Sequence, residues 1–243
     1  MDRMIYLGMS GAKMDMQRQE VLANNLANVS TTGFKAELHA VRSVPVRGDG
    51  ASTRVYALET TVGYDDTAGS ITATGRPLDI AVQGKSWLSV QGLDGTEAYT
   101  RFGALTVDSE GTLKTQNGYT VLGDGGPISL PPNGTVSIGA DGTVSSKQAN
   151  GTITPVGRLK LVTPEERLER GTDGLFRSNA GDLPADANAR VQDGALEGSN
   201  VNPIEAMISM IASARQFEAQ MKLMKTAEQD EQQASRLLSN TSG

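Results

Sequence analysis

Few side chains in this 243-residue chain are suited to covalent or metal chemistry. It has one histidine, His39, and no cysteine. That excludes thiolate metal sites, disulfides and cysteine nucleophiles, and it leaves a Ser-His-Asp triad only if His39 is the base. Carboxylates are plentiful, at 28 Asp and Glu, so a two-carboxylate hydrolase is compatible with the composition. Such enzymes usually offer aromatic platforms to sugar rings, whereas here aromatics are 4% of residues and Trp87 is the single tryptophan. Trp87 lies in an alternating strand pattern and reads as a core anchor.

Other chemical motifs reduce to turns. The glycine-rich GDGGP at 123–127 lacks the Lys and the Ser or Thr of a phosphate loop. Asp-Gly and Asn-Gly pairs recur at 94, 117, 124, 133, 141, 150 and 173 without calcium-loop spacing. No cofactor and no metal are expected. The net charge of −6 and the lack of clustered Lys and Arg argue against nucleic acid. No stretch approaches the roughly 20 apolar residues of a membrane span, so no membrane insertion is expected. Asp2 and Arg3 precede a short apolar run, which is not the pattern of a cleaved secretory signal.

The elements that would position any site fall into two grammars. Residues 3–29 contain no proline, and Ile5, Met9, Ala12, Met16, Ala23 and Leu26 recur at alternating steps of four and three, with Gln19 in the one polar slot. That spacing predicts a helix with a coiled-coil-like stripe. Near the other end, Asn202-Pro203 with Glu205 is a helix-start signal. Beyond it run Met207, Met210, Ala214, Phe217, Met221 and Met224, with Ile204, Ile208 and Ile211 widening the apolar face. Between about 40 and 195, short alternating segments separated by turn signals predict antiparallel strands, and LTVDSEGTLKT and VSIGADGTVSS look like copies of one strand-turn-strand unit. The expected fold is α+β: an all-β central domain over 39–196, with an N-terminal helix over 1–38 and a C-terminal helix over 197–243 forming a helical domain. The two helices could pair with each other or with neighbouring copies.

One phrase is said twice: Leu22-Ala23-Asn24-Asn25, then Leu26-Ala27-Asn28. Asparagine is a mediocre helix former. Asn24, Asn25 and Asn28 either fray the helix end, or place polar groups on one face to fix register against neighbouring helices; both readings stand on sequence alone.

LANNLANVSTTGFK resembles the N-terminal signature of the bacterial flagellar rod, hook and hook-filament protein family. LEGSNVNPIEAMISMIASARQFEAQMKLM resembles its C-terminal signature, and GRPLDIAVQGKSWLSVQ, AYTRFGALTVDSEGTL and GDGGPISLP resemble the β domain of its rod members. Within the family the likeness is greatest to proximal-rod members, with a distal-rod paralogue as the alternative. The resemblance implies a structural subunit and not an enzyme. Its terminal helices would line the rod core around the export channel, in a shaft that transmits torque. Implied partners are copies of itself, other proximal-rod subunits, the distal rod above and the flagellar type III export apparatus. The implied location is a basal-body rod crossing the periplasm, reached without a cleaved signal peptide. The subunit interface is then expected to include Ile5, Met9, Ala12, Met16, Leu22, Asn24, Asn25, Leu26, Asn28, Gly33 and Phe34 at one end. At the other it would include Asn202, Ile204, Met207, Met210, Ile211, Phe217, Met221 and Met224. Gly33 would turn the chain outward and Phe34 anchor that turn. Two competing readings are a cell-wall polysaccharide hydrolase using a carboxylate pair and a transient assembly cap.

Overall fold

The computed structural model describes residues 2–45, 55–132, 134–148 and 151–240. The chain divides into two compact units, one of residues 1–27, 37–64 and 201–243, the other of residues 28–36 and 65–200.

The first unit pairs helix α1, Asp2–Ala27, with helix α2, Pro203–Asn240. At 1.5 Å per residue they measure about 39 and about 57 Å. They run antiparallel: Gly8 lies against Met224, Gly11 against Gln220, and Asp15 against Ser213. Small residues set the spacing. A Cβ at Gly8 would lie 2.7 Å from Met224 Cγ, and one at Gly11 would lie 3.0 Å from Gln220 Nε2. Of the two pairings open on sequence, the chain uses its own partner helix. α2 starts as its sequence predicts. Asn202 Oδ1 accepts the N–H groups of Ile204 (3.1 Å) and Glu205 (3.4 Å), and Pro203 takes the first helical position.

Strands β1, Glu37–Pro45, and β2, Val55–Tyr64, form an antiparallel hairpin whose register shifts between Leu38 and Ala40. The hairpin falls in the same unit as the helices, where the sequence reading assigned residues from 39 onward to the β domain. Its tie to α1 is a polar contact that apolar periodicity does not reveal, described below.

The second unit is antiparallel throughout. Its largest sheet has the order Glu169–Arg170, Phe176–Arg177, Glu97–Thr100, Trp87–Gln91, Thr120–Gly123, Leu113–Thr115 and Leu105–Val107. Gly126–Pro127 and Leu161–Val162 join the Thr120–Gly123 and Trp87–Gln91 strands. Thr135–Ile138, Thr143–Lys147 and Ile153–Arg158 make a three-stranded sheet. The core gathers Ile80, Leu88, Val90, Leu105, Leu113, Val121, Val144 and Leu161, all essentially inaccessible. Trp87 is buried with them, its ring 4.6 Å from that of Phe176.

The two look-alike segments share one backbone turn. Gly111 N–H donates to Asp108 O at 3.1 Å and Gly142 N–H to Gly139 O at 2.9 Å, and Gly111 and Gly142 take positive φ at 80° and 83°. At the Asp124 turn the positive φ falls at Gly126, one residue later than the Asp-Gly pair predicts. Asn133 and Asn150 lie outside the described residues.

Gly103 is required by proximity. A Cβ there would sit 1.7 Å from the carbonyl oxygen of Ile80, whose own N–H bonds to Gly103 O at 3.0 Å. Gly103→Ala should therefore destabilise the second unit by about 3 kcal/mol, read as a lower denaturation midpoint of Trp87 fluorescence with α1 and α2 helicity retained.

Candidate functional site

The α2 surface has two faces of opposite use. At 100° per residue, Ala206, Met210, Ser213, Phe217, Gln220 and Met224 share an arc of about 80° that looks toward α1, and Ala206 and Ser213 are buried. Ile204, Met207, Ile208 and Ile211 share the opposite arc and are exposed, Ile204 at 69% and Ile208 at 63%. Further along, that outer direction carries Arg215, Glu218 and Lys222. The apolar patch is thus confined to the first two turns and their continuation is charged. On α1, Met9 and Met16 are likewise exposed, seven residues apart on one side, while Ala12 is buried.

The expected interface residues therefore separate. Met9, Met16, Ile204, Met207, Ile211 and Met221 present free apolar surface. Ala12 is buried, and Met210, Phe217 and Met224 are half-buried on the α2 face turned to α1. The single stripe read from Met207 to Met224 is thus a correction: consecutive methionines fall alternately outward and inward, because steps of three and four drift around a 3.6-residue helix. Leu22 and Leu26 are half-buried. The Ile5 side chain lies outside the described residues. Asn202 acts within its own chain as a cap.

The asparagines bond within the chain. Asn25 is buried and makes a two-point contact with the Glu37 main chain, its Nδ2 donating to Glu37 O at 3.0 Å and its Oδ1 accepting Glu37 N–H at 2.8 Å. The amide side chain thus replaces a strand neighbour for the first residue of β1. Asn24 Nδ2 donates to Glu37 Oε2 at 3.0 Å, and Asn28 Oδ1 accepts Thr31 Oγ1 at 3.1 Å. All three groups find partners inside the chain, around the end of α1 and the start of β1.

Gly33 and Phe34 belong to the interior of the second unit. Gly33 has φ 67°, its N–H donates to Glu197 O at 2.7 Å, and a Cβ would meet the Arg101 carbonyl at 2.4 Å. Phe34 is buried under the Arg170 guanidinium, 4.4 Å from its ring centroid. They anchor a turn, as expected, and both are buried within this chain.

The same place holds three buried charges that the sequence reading did not single out. Glu197 Oε1 accepts Lys35 Nζ at 2.9 Å and the Gly69 N–H at 3.0 Å. Glu197 Oε2 lies 2.8 Å from Arg101 Nε, without a hydrogen-bonding angle, so that contact is coulombic. All three side chains are 2–3% exposed. Lys35 Nζ also donates to Thr67 O at 2.7 Å, and Arg101 donates to Gly84 O at 3.0 Å and to Ser86 O. Burial works to raise the Glu197 carboxyl, but Arg101, the Gly69 N–H and Lys35 outweigh it and hold it below the ordinary 4.5. Burial draws the Lys35 ammonium down, against the pull of Glu197. Beside the triad, Asn200 Nδ2 donates to Asp65 O and Thr67 O, both at 3.0 Å, and its Oδ1 accepts Ala36 N–H at 2.7 Å. The signal for these residues was present: Lys35, Arg101 and Glu197 each lie within one of the five quoted motifs.

His39 lies in β1 beside the register shift, half-buried, and no hydrogen bond reaches its Nε2 among the described residues. Among those residues no three of His, Asp and Glu gather as metal ligands, and no helix is long and apolar enough to cross a membrane.

A helix pair with an apolar outer patch, together with a separate antiparallel β unit closed by a buried ion triad, is the architecture of an assembly subunit. Comparison with known proteins gives the family. Residues 5–35 match the model for the flagella basal body rod protein, 81–146 that for the flagellar hook protein FlgE/F/G D1 domain, and 192–237 that for the flagellar basal body rod FlgEFG protein C-terminal region. The flagellar basal-body rod protein FlgF of Salmonella typhimurium is 46% identical over 250 residues, covering 98% of this chain and 99% of that protein. FlgF of Escherichia coli gives the same identity and coverage. FlgG of Bacillus subtilis is 33% identical over 253 residues, covering 93% and 96%. The chain belongs to the flagellar basal-body rod protein family and is a structural rod subunit of the basal body. Each triad residue comes from a different matched segment: Lys35 from the first, Arg101 from the second, Glu197 from the third.

Glu197→Gln leaves two buried cations without their anion and should cost the second unit about 3–5 kcal/mol. The pH sign follows from the lowered Glu197 value. Its contribution is complete above the ordinary 4.5 and is lost as pH falls through the folded value. Denaturant titrations from pH 7 to pH 3 should show a shallower acid loss in Glu197→Gln than in the unaltered chain. A second measurable effect is local. Asn25→Ala should weaken the first unit by about 2 kcal/mol through two unmet groups on Glu37, seen as faster amide exchange in β1.

Proposed function

We propose that this chain is a proximal-rod subunit that polymerises through its terminal helices, α1 and α2. The observation that carries the reading is the exposed patch Ile204, Met207, Ile208 and Ile211, on the side of α2 away from α1. A contiguous apolar helix face stabilises when another surface covers it, at about 25 cal/mol per Å², and a rod supplies neighbours on every side. Met9, Met16 and Met221 add adaptable contacts. A heterologous contact repeated from subunit to subunit gives a helical polymer. The proximal assignment is supported by the higher identity to the two FlgF relatives, 46%, than to the FlgG relative, 33%.

In this reading the partners are copies of the chain, other proximal-rod subunits and the distal rod. The chain reaches them through the flagellar type III export apparatus without a cleaved signal, and the rod crosses the periplasm. It transmits torque and encloses the export channel, and carries no catalytic role. The terminal-helix residues that serve as contacts are the outward ones.

The test is electron microscopy of basal bodies. Cells lacking the chain should make membrane rings but no rod, hook or filament, and complete rods in such cells would overturn the reading. Ile204→Asp with Ile208→Asp should leave the isolated chain folded, because both side chains are already exposed, yet fail to restore rods. Rods of normal yield from that variant would remove the patch from the interface.

A further inference from the structure

The helix pair contains a buried carboxylate oxygen that finds no hydrogen-bond donor among the described residues. Asp15 lies in the α1–α2 seam and is 5% exposed. Its backbone carbonyl accepts Ser213 Oγ at 3.2 Å, while its buried Oδ2 has no hydrogen-bond partner. A carboxylate stripped of water and given no donor is costly as an anion and much less so as a neutral acid.

The surroundings offer little compensation. On α1, Arg18 is the charged group whose field reaches Asp15 and favours the anion. On α2, Ser213 faces it directly, and Met210 and Phe217, a turn to either side, carry no charge; Arg215 points in the opposite direction from Ser213 and is exposed. From the hairpin, Glu37 is held by Asn24 and Asn25 at the far end of α1, and neither it, His39 nor Tyr64 contributes a charge interaction at Asp15.

We infer that closure of the α1–α2 pair is coupled to proton uptake at Asp15, so that the seam is a proton-sensitive clasp. Burial raises the Asp15 carboxyl above its ordinary 3.8, and the Arg18 charge only moderates that rise. The closed pair therefore binds the proton more tightly than the open one. Pairing is most favoured below 3.8 and weakens as pH rises to the raised value, beyond which the penalty is constant. Acid thus tightens the first unit while it removes the Glu197 contribution from the second, so the two units respond to pH in opposite directions. At neutral pH the helix pair carries a standing penalty, which keeps it ready to open and re-pack.

The experiment is hydrogen–deuterium exchange on the full chain between pH 3.5 and 7, corrected for intrinsic rates and read separately on each unit. In the unaltered chain the opening constant of α1 and α2 should rise with pH to a plateau, by tenfold for each unit by which Asp15 is displaced. In Asp15→Asn it should be flat, with protection of the pair at pH 7 about threefold or more above the unaltered chain and unchanged protection in the second unit. A wild-type pH slope in Asp15→Asn would overturn the inference. Because the amide could itself disturb the seam, the carboxyl carbon of Asp15 is also titrated by NMR in the unaltered chain. A midpoint above 3.8 supports the clasp, and one at or below 3.8 overturns it independently of the variant.

Discussion

A carboxylate buried between two cations sets the terms for the second unit. Glu197 is separated from Lys35 by 162 residues of chain, and its burial is tolerable only while both cations are present, because each charge removed from water needs its counter-charge close by. The cations in turn are held by backbone carbonyls of Thr67, Gly84 and Ser86. The triad thereby binds the segment before β1, the loop after β2 and the last strand of the unit into one cluster. Next to it, Asn200 joins the residues at which the chain crosses between units: its side chain bonds Ala36 and Asp65, while Asp65 N–H donates to Ala36 O at 2.8 Å. Apolar packing alone could not specify that convergence, since it is non-directional, whereas a two-oxygen acceptor with fixed donors has a single arrangement.

The helix pair works on a different principle. Glycines at 8 and 11 and alanines at 12 and 206 allow close approach of α1 and α2, with Met210, Phe217 and Met224 half-buried on the α2 face turned to α1. The isoleucines of α2 and the outward methionines of both helices are left for other surfaces. The seam and the outer face are therefore distinct surfaces of one helix pair.

Much was legible in the residues before any fold was known. Apolar spacing and the Asn202-Pro203 start gave both helices, Asp-Gly pairs gave most of the turns, and alternation gave the antiparallel β grammar. These features depend on neighbours within a few residues, where backbone sterics and side-chain reach decide the outcome. Gly33 and Phe34 sit in a buried turn of the second unit, while Ile204 and Ile211 are exposed on α2. A glycine-aromatic pair reads the same whether it anchors an interior turn or an intersubunit one.

What the sequence by itself determined was the division into striped ends and a turn-rich middle, the family, and the absence of cysteine and of histidine pairs. Tertiary structure alone decided that α1 pairs with α2, which face of α2 remains outward, that Asn25 serves as a strand partner for Glu37, and that the hairpin after Ala36 belongs with the helices. It also decided that Lys35, Arg101 and Glu197 meet. The physical reason is range: periodicity and turn chemistry are encoded over a few positions, while a buried charge finds its partner wherever the fold brings the opposite sign, at 96 residues for Arg101 and Glu197. No local pattern records such a meeting, and only the folded chain shows which charges meet a counter-charge and which, like Asp15, bury an oxygen without a donor among the described residues.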